Sequence, residues 1–200
     1  MNRITTIFFD WGGVIADDPG DEFLSLLLRN LGASEDQIQE IYETYMKRFM
    51  KGQLCEAEYW EALRVNYGLT IHDSISDEFK KWRGLVKNDD ILALVDLVKS
   101  KGLQTALLSN VIEPTYNVLH GAGYYDCFDK VIASCKVGFA KPQPEIYQLA
   151  LERMHTTAVQ SVFIDDKQKN LDPADELGFK TILAQNPAQI IHDLTQYLPN

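Results

Sequence analysis

Cysteine is scarce: three residues in 200, Cys55, Cys127 and Cys135, none of them in a CxxC pair. Neither a zinc knuckle nor a redox dithiol is indicated, and reduced thiols are the expectation. Basic residues are outnumbered too, with 19 Lys and Arg against 29 Asp and Glu and a formal charge of −10. A nucleic-acid surface needs clustered cations, so nucleic acid is not expected as a partner. The charge does not exclude a small anion, because a bound dication and one or two placed cations can reverse the local field. No apolar run approaches the roughly 20 residues of a membrane helix, and the first ten residues lack the apolar stretch of a signal peptide. A soluble cytoplasmic protein with no membrane partner is therefore expected. His72, His120, His155 and His192 show no metal-ligand spacing, and neither a GxxxxGK[ST] loop nor a GxSxG elbow occurs. Zinc peptidase, P-loop nucleotidase and serine hydrolase readings lose their support.

What the chain does have is alternation. Residues 4–9, 104–108, 130–133, 161–164 and 179–183 read as short buried strands. Between them, 90–101, 114–121, 144–154, 173–177 and 187–197 read as helices, several with proline in the first turn. Gly102 and Gly178 stand where helices should stop. Strand–helix alternation of this kind predicts an α/β fold with a parallel sheet covered on both faces. The stretch 18–83 breaks the rhythm, with helical patterns and no convincing strand. Ser34-Glu35-Asp36-Gln37 has the form of a capping box opening a helix through residue 49. Residues 56–67 supply another, with Tyr59, Leu63 and Tyr67 on one face. The expected organisation is a core of residues 1–16 and 86–200 carrying a helical cap of residues 17–85.

In an open parallel sheet, ligands bind at the carboxyl ends of the strands. After the first predicted strand comes Asp10-Trp11-Gly12-Gly13, and after the second Ser109-Asn110. The chain after the third passes through Lys141-Pro142, and after the fourth come Asp165-Asp166. Three carboxylates, a hydroxyl and an ammonium could thus meet at one rim, a set suited to phosphoryl transfer. Taken singly, each has a plainer reading as a turn residue, a helix cap or a solvated lysine. Adjacent carboxylates repel each other unless a cation or a proton relieves them.

As an ordered set, Asp10-Trp11-Gly12-Gly13-Val14, Ser109-Asn110, Lys141-Pro142 and Asp165-Asp166 resemble the four motifs of the haloacid dehalogenase (HAD) superfamily. The helical insertion resembles that superfamily's cap. Lys141-Pro142-x-Pro144-x-Ile146-Tyr147 and Asp165-Asp166-x-x-x-Asn170 look like the branch with sugar-phosphate phosphatases and the phosphatase domain of soluble epoxide hydrolase.

The resemblance implies a Rossmann-like, three-layer α/β/α core and a magnesium-dependent phosphohydrolase acting on a small phosphorylated metabolite. Asp10 would be the nucleophile, forming an aspartyl-phosphate that water hydrolyses. Magnesium would be held by Asp10, the Gly12 carbonyl and Asp166, with Asp165 orienting the metal's water shell and Asn170 bracing the loop. Ser109 would donate to a phosphoryl oxygen and Lys141 would supply charge there. Asn110 and the backbone N–H groups around Trp11 and Gly12 would complete the phosphate cradle.

One departure is visible. Phosphatases of this superfamily commonly carry a general acid two positions after the nucleophile, where this chain has Gly12. Asp17, seven residues after Asp10, is a nearby substitute by sequence. Two other readings follow from the same residues: a ligand- or partner-binding relic of the fold, and a metal-independent haloacid dehalogenase, which paired carboxylates disfavour. Tyr59, Trp60, Arg64 and Tyr67 are candidates for a substrate pocket, although aromatic residues at helical spacing more often form a cap's own core.

Overall fold

The computed structural model describes residues 3–18, 20–72 and 87–199. Its centre is a five-stranded parallel sheet of order β3-β2-β1-β4-β5. The strands are β1 (Thr6–Phe9), β2 (Gln104–Ser109), β3 (Lys130–Ala133), β4 (Ser161–Asp165) and β5 (Lys180–Leu183). All four residues of β1 are buried, as a central strand covered on both faces demands.

The period-two alternation along β1 assigns its side chains to opposite layers. Ile7 and Phe9 enter one apolar cluster with Ile91, Leu94, Val95 and Val98 of helix Asp89–Ser100 and with Ile190 and Leu194 of helix Pro187–Thr195. Phe8 enters the other, with Ile146, Tyr147 and Ala150 of helix Pro144–Met154 and Leu171 and Ala174 of helix Gln168–Leu177. The result is the expected three-layer α/β/α arrangement.

All five sequence-read strands are present within one or two residues of their expected ends, because buried apolar runs bounded by turn residues are strong signals. One helix needs correction. The expected start at Pro173 is wrong: the helix begins at Gln168, and Pro173 lies inside it. Burial of Asn170 and Leu171 fixes this earlier start.

The helices Gly20–Asn30, Glu35–Ile41, Lys47–Met50 and Glu56–Tyr67 lie between β1 and Asp89. Their apolar faces form a separate cluster that includes Leu27, Leu28, Ile41, Phe49, Tyr59 and Leu63. Ser34 opens the second of them with the predicted capping box, its hydroxyl accepting from Gln37 N and the Gln37 side chain accepting from Ser34 N. The helix expected through residue 49 does run on to Met50, but through a π-helical turn at Tyr42–Met46. Wide turns of this kind recur at functional sites. The expected second boundary, at residues 85 and 86, and the end of the stretch 18–83 fall outside the described residues.

The inserted segment departs and returns at one place. Ala16 bridges Gly12 on one side and Lys87 on the other, and Asn88 N donates to Ile15 O at 2.8 Å. These helices also meet the sheet layer farther along: Ser134 Oγ donates to Met50 O at 2.6 Å and accepts from Val111 N at 2.9 Å. No described helix is long and apolar enough to cross a membrane, and Cys55, Cys127 and Cys135 are free thiols.

Candidate active site

β1 is central: the chain runs from it through β2 to β3 on one side and then crosses to β4 and β5 on the other. Such a switch point leaves a crevice at the strand ends. Asp10 follows β1, Ser109 ends β2 and Asp165 ends β4, so strand order alone brings these three side by side. A cavity of about 650 Å³ opens there, lined by Asp10, Trp11, Gly12, Ser109, Asn110 and Lys141 from the core.

Lys141 is the hub. Its side chain is fully buried, with Nζ 2.9 Å from Asp10 Oδ1 and 2.6 Å from Asp165 Oδ2. The ammonium also lies over the Phe163 ring, 5.3 Å from its centroid. Burial opposes its charge, but the two carboxylates outweigh burial and hold its pKa above the ordinary lysine value. Its main chain is fixed by Asn110: Lys141 N donates to Asn110 Oδ1 and Asn110 Nδ2 donates to Lys141 O, both at 2.8 Å. Both ends of the Asn110 amide are thus engaged in placing Lys141.

Asp10 is buried beneath the cavity, and its Oδ1 also accepts from Trp11 N at 2.7 Å. Burial pushes its pKa up to about 7, against the pull of Lys141 and with a push from Asp165. Trp11 lines the cavity while its ring stacks on Tyr124 and meets Tyr125 edge-on.

The adjacent pair Asp165 and Asp166 divides its work. Asp165 is completely buried and both its oxygens are committed. Oδ2 accepts from Lys141 Nζ, and Oδ1 accepts from Lys167 N at 2.8 Å and Asn170 Nδ2 at 2.9 Å. Asn170 is anchored in turn by Tyr147, whose hydroxyl donates to its carbonyl at 2.6 Å. Asp166 differs: its Oδ1 is buried and accepts no hydrogen bond among the described residues. Burial, joined by the Asp165 and Asp18 carboxylates, raises its pKa above the usual range.

Asp10, Asp165 and Asp166 bring one oxygen each to within 4.8 Å of one another. A buried acceptor without a donor is costly, and two carboxylates displaced toward neutrality by burial mark negative charge awaiting a cation. An all-oxygen donor set of this kind fits a hard dication such as magnesium. Asp10 and Asp166 have the chemistry to hold it, whereas Asp165 is saturated and acts as the brace for Lys141 and the following turn. Gly13 makes this possible. Its φ is +71°, and a Cβ there would lie 2.5 Å from Asp166 Cγ.

At the cavity wall the sequence left two points open. Tyr59, Trp60 and Leu63 are buried in the helices' own apolar cluster, and neither Arg64 nor Tyr67 lines the cavity. The helices between β1 and Asp89 contribute Leu24, Tyr42, Glu43, Met46, Lys47 and Met50 instead, four of them on or next to the π-helical turn. Asp17 does line the cavity, but its neighbour Asp18 is the residue packed against Gly12. A Cβ at Gly12 would meet Asp18 Cβ and Cγ at 3.0 Å and Oδ2 at 3.3 Å. Lys167 Nζ pairs with that Oδ2 at 2.9 Å. Neither Asp18 nor Lys167 was singled out by sequence. Only Lys167's place next to the acidic pair offered a signal.

Comparison with known proteins gives this arrangement a family. D-ribitol-5-phosphate phosphatase from Bacteroides thetaiotaomicron is 26% identical over 98% of both chains. Acyl-CoA dehydrogenase family member 10 from Mus musculus is 25% identical over 96% of this chain, which spans only 19% of that protein's length. In fold, a predicted HAD-like family hydrolase from Porphyromonas gingivalis aligns with a TM-score of 0.80 at 22% identity, covering 98% of each chain. The magnesium complex of a HAD family enzyme from Bacteroides thetaiotaomicron aligns at 0.73 and 24%, over 92% of this chain and 96% of that one. The profile of the haloacid dehalogenase-like hydrolases matches residues 4–178, and the chain belongs to that family.

Proposed function

We propose that this protein is a magnesium-dependent phosphatase that hydrolyses the phosphate monoester of a small metabolite through an aspartyl-phosphate on Asp10. One observation carries the reading: a buried Asp10, paired with Lys141 at a cavity floor, stands beside an Asp166 oxygen that no group among the described residues satisfies. A phosphate ester and a carboxylate repel each other, so a site that brings them together needs positive charge between them. Lys141 supplies one such charge and the acidic pair supplies a place for two more. The all-oxygen donor set and the magnesium complex of the Bacteroides structure support the choice of metal. The relative acting on D-ribitol 5-phosphate supports a small phosphorylated substrate, with a sugar or polyol phosphate as the first class to try.

In this reading Asp10 and Asp166, with the Gly12 carbonyl, hold the metal. Bound magnesium lends charge neutralisation to the transferring phosphoryl group. Asp10 attacks phosphorus and the ester oxygen leaves. Ser109 donates to a phosphoryl oxygen, Lys141 offsets the growing charge, and backbone N–H groups at Trp11 and Gly12 close around the rest. Asn110, Asp165 and Asn170 hold Lys141 and the metal loop in place. Residues 1–16 and 86–200 are read as the catalytic core and 17–85 as the cap. The separate apolar cluster of the cap helices and the junction at Ala16 and Lys87 support that division.

The test is phosphate release from a panel of esters, with and without magnesium, comparing wild type with Asp10→Asn. The panel holds acetyl phosphate, an anomeric sugar phosphate and D-ribitol 5-phosphate. Magnesium-dependent release that Asp10→Asn abolishes is the expected outcome. Turnover that survives the substitution would overturn the nucleophile, and no release from any ester would favour a binding protein on the same fold.

A further inference from the structure

Hydrolysis of an aspartyl-phosphate requires an acceptor for the proton of the attacking water. The inference below rests on the phosphatase reading and asks which residue of this chain accepts it. Asp10 itself carries the phosphoryl group. Asp165 is sealed in the core with both oxygens committed. Asp166 packs against Gly13 and is absent from the cavity wall. Glu43 belongs to the π-helical turn Tyr42–Met46 and not to the loop that leads from Asp10. Asp17 and Asp18 remain on the wall of the cavity.

Geometry separates these two. The Asp18 side chain fills the space that any side chain at position 12 would need, two residues from Asp10. Its side chain is a quarter exposed, so water reaches it, and Lys167 Nζ grips Oδ2 at 2.9 Å. Lys167 belongs to the turn that Asp165 secures through the Lys167 N–H. The same buried carboxylate that braces Lys141 therefore fixes the residue that holds Asp18.

We propose that Asp18 is the catalytic residue that accepts the proton of the water attacking the aspartyl-phosphate. The water oxygen bonds to phosphorus as the bond between phosphorus and the Asp10 oxygen breaks. Asp10 departs as a carboxylate, inorganic phosphate is released, and the proton passes to Asp18 and then to solvent. Lys167 is a positioning residue that keeps the Asp18 carboxylate against Gly12.

The experiment is acid-quenched rapid mixing of the magnesium-loaded enzyme with acetyl phosphate, reading phosphoenzyme by intact mass beside phosphate release. Wild type, Asp18→Asn and Asp17→Asn are compared. Asp18→Asn is expected to slow steady turnover by about 10²-fold while phosphoenzyme accumulates. Asp17→Asn is expected to show no such accumulation. Slowing without phosphoenzyme, unchanged turnover, or equal behaviour of the two variants would overturn the role of Asp18.

A second variant guards against a trivial loss. Gly12 is not among the positive-φ glycines, so a side chain is sterically allowed there once Asp18 is shortened. Asp18→Gly combined with Gly12→Asp returns a carboxylate to the same volume. Recovery of about tenfold over Asp18→Gly alone supports the proposal, and no recovery counts against it. Wild type without magnesium-dependent turnover that requires Asp10 would overturn the phosphatase reading itself, and this inference with it.

Discussion

Gly13 and Asp166 are matched surfaces: the backbone of one lies so close to the carboxylate of the other that a single methyl would fall 2.5 Å from Asp166 Cγ. The glycine's positive φ and its missing side chain together let an unsatisfied carboxylate oxygen approach Asp10. The metal geometry thus depends on an atom that is not there.

Gly13→Ala is therefore expected to displace Asp166 and to strain the turn at φ +71°. Stability should fall by more than about 1 kcal/mol, and magnesium affinity by about tenfold or more, in line with losses on disturbing groups that orient a metal site. Urea melts and calorimetric titration with magnesium report the two separately. Unchanged magnesium affinity would refute the contact's importance.

Lys141 joins two buried carboxylates, so removing its charge leaves both uncompensated. Lys141→Met should destabilise the fold by about 3–5 kcal/mol, beyond any loss of activity. Adding Asp165→Asn should return part of that loss, because one stranded charge goes with it. Chemical denaturation of the two single variants and the double variant gives the coupling, and strict additivity would argue against a shared network.

The raised pKa of Asp10, about 7 against an ordinary 3.8, has a direction in pH. Between these values the folded, metal-free protein keeps a proton that the unfolded chain gives up. Its stability contribution is present below the unfolded value and is lost as pH rises through the window. Magnesium competes with that proton, so it should stabilise more strongly at about pH 8 than at about pH 5. Melting temperatures with and without magnesium across this range give the answer, and a shift independent of pH would contradict it.

Tyr42 faces the cavity from the π-helical turn. Tyr42→Ala should raise KM for the preferred ester by about tenfold, the loss of about 1.4 kcal/mol of binding, while acetyl phosphate, too small to reach the cap, is turned over as before. Steady-state kinetics on both compounds separate a substrate contact from damage at the phosphoryl site.

The sheet was legible because its strands are short apolar runs ending in turn residues, a pattern that survives without knowledge of the neighbours. Lys130–Ala133 and Pro144–Met154 match their sequence-read bounds. The rim residues Asp10, Ser109, Lys141 and Asp165 were legible for a related reason: strand ends are where such a sheet puts its chemistry. That Asp166 rather than Asp165 would hold the metal came only from the family resemblance, and the partners that saturate Asp165 were not legible at all. Neighbours in sequence point in different directions, and only the partners Lys141, Lys167 and Asn170 reveal which carboxylate is saturated. The place of Asp18 was not legible either, because which of two adjacent side chains folds back against Gly12 is a tertiary fact. Pro173 misplaced a helix start because proline marks first turns more often than interiors. The burial that moved the start to Gln168 is a tertiary fact. The cap's contribution to the cavity lay hidden in the same way, since the wide turn at Tyr42–Met46 has no sequence signature like that of the capping box before it.

The doorway at Ala16 and Lys87 has an evolutionary side. Because the excursion between them begins and ends at neighbouring backbone positions, its contents can lengthen, shrink or be exchanged while the strands beneath keep their register. A lineage could thus rewrite the cavity wall beyond Asp18 without touching Asp10, Ser109, Lys141 or the acidic pair, and selection can act on most of recognition apart from chemistry.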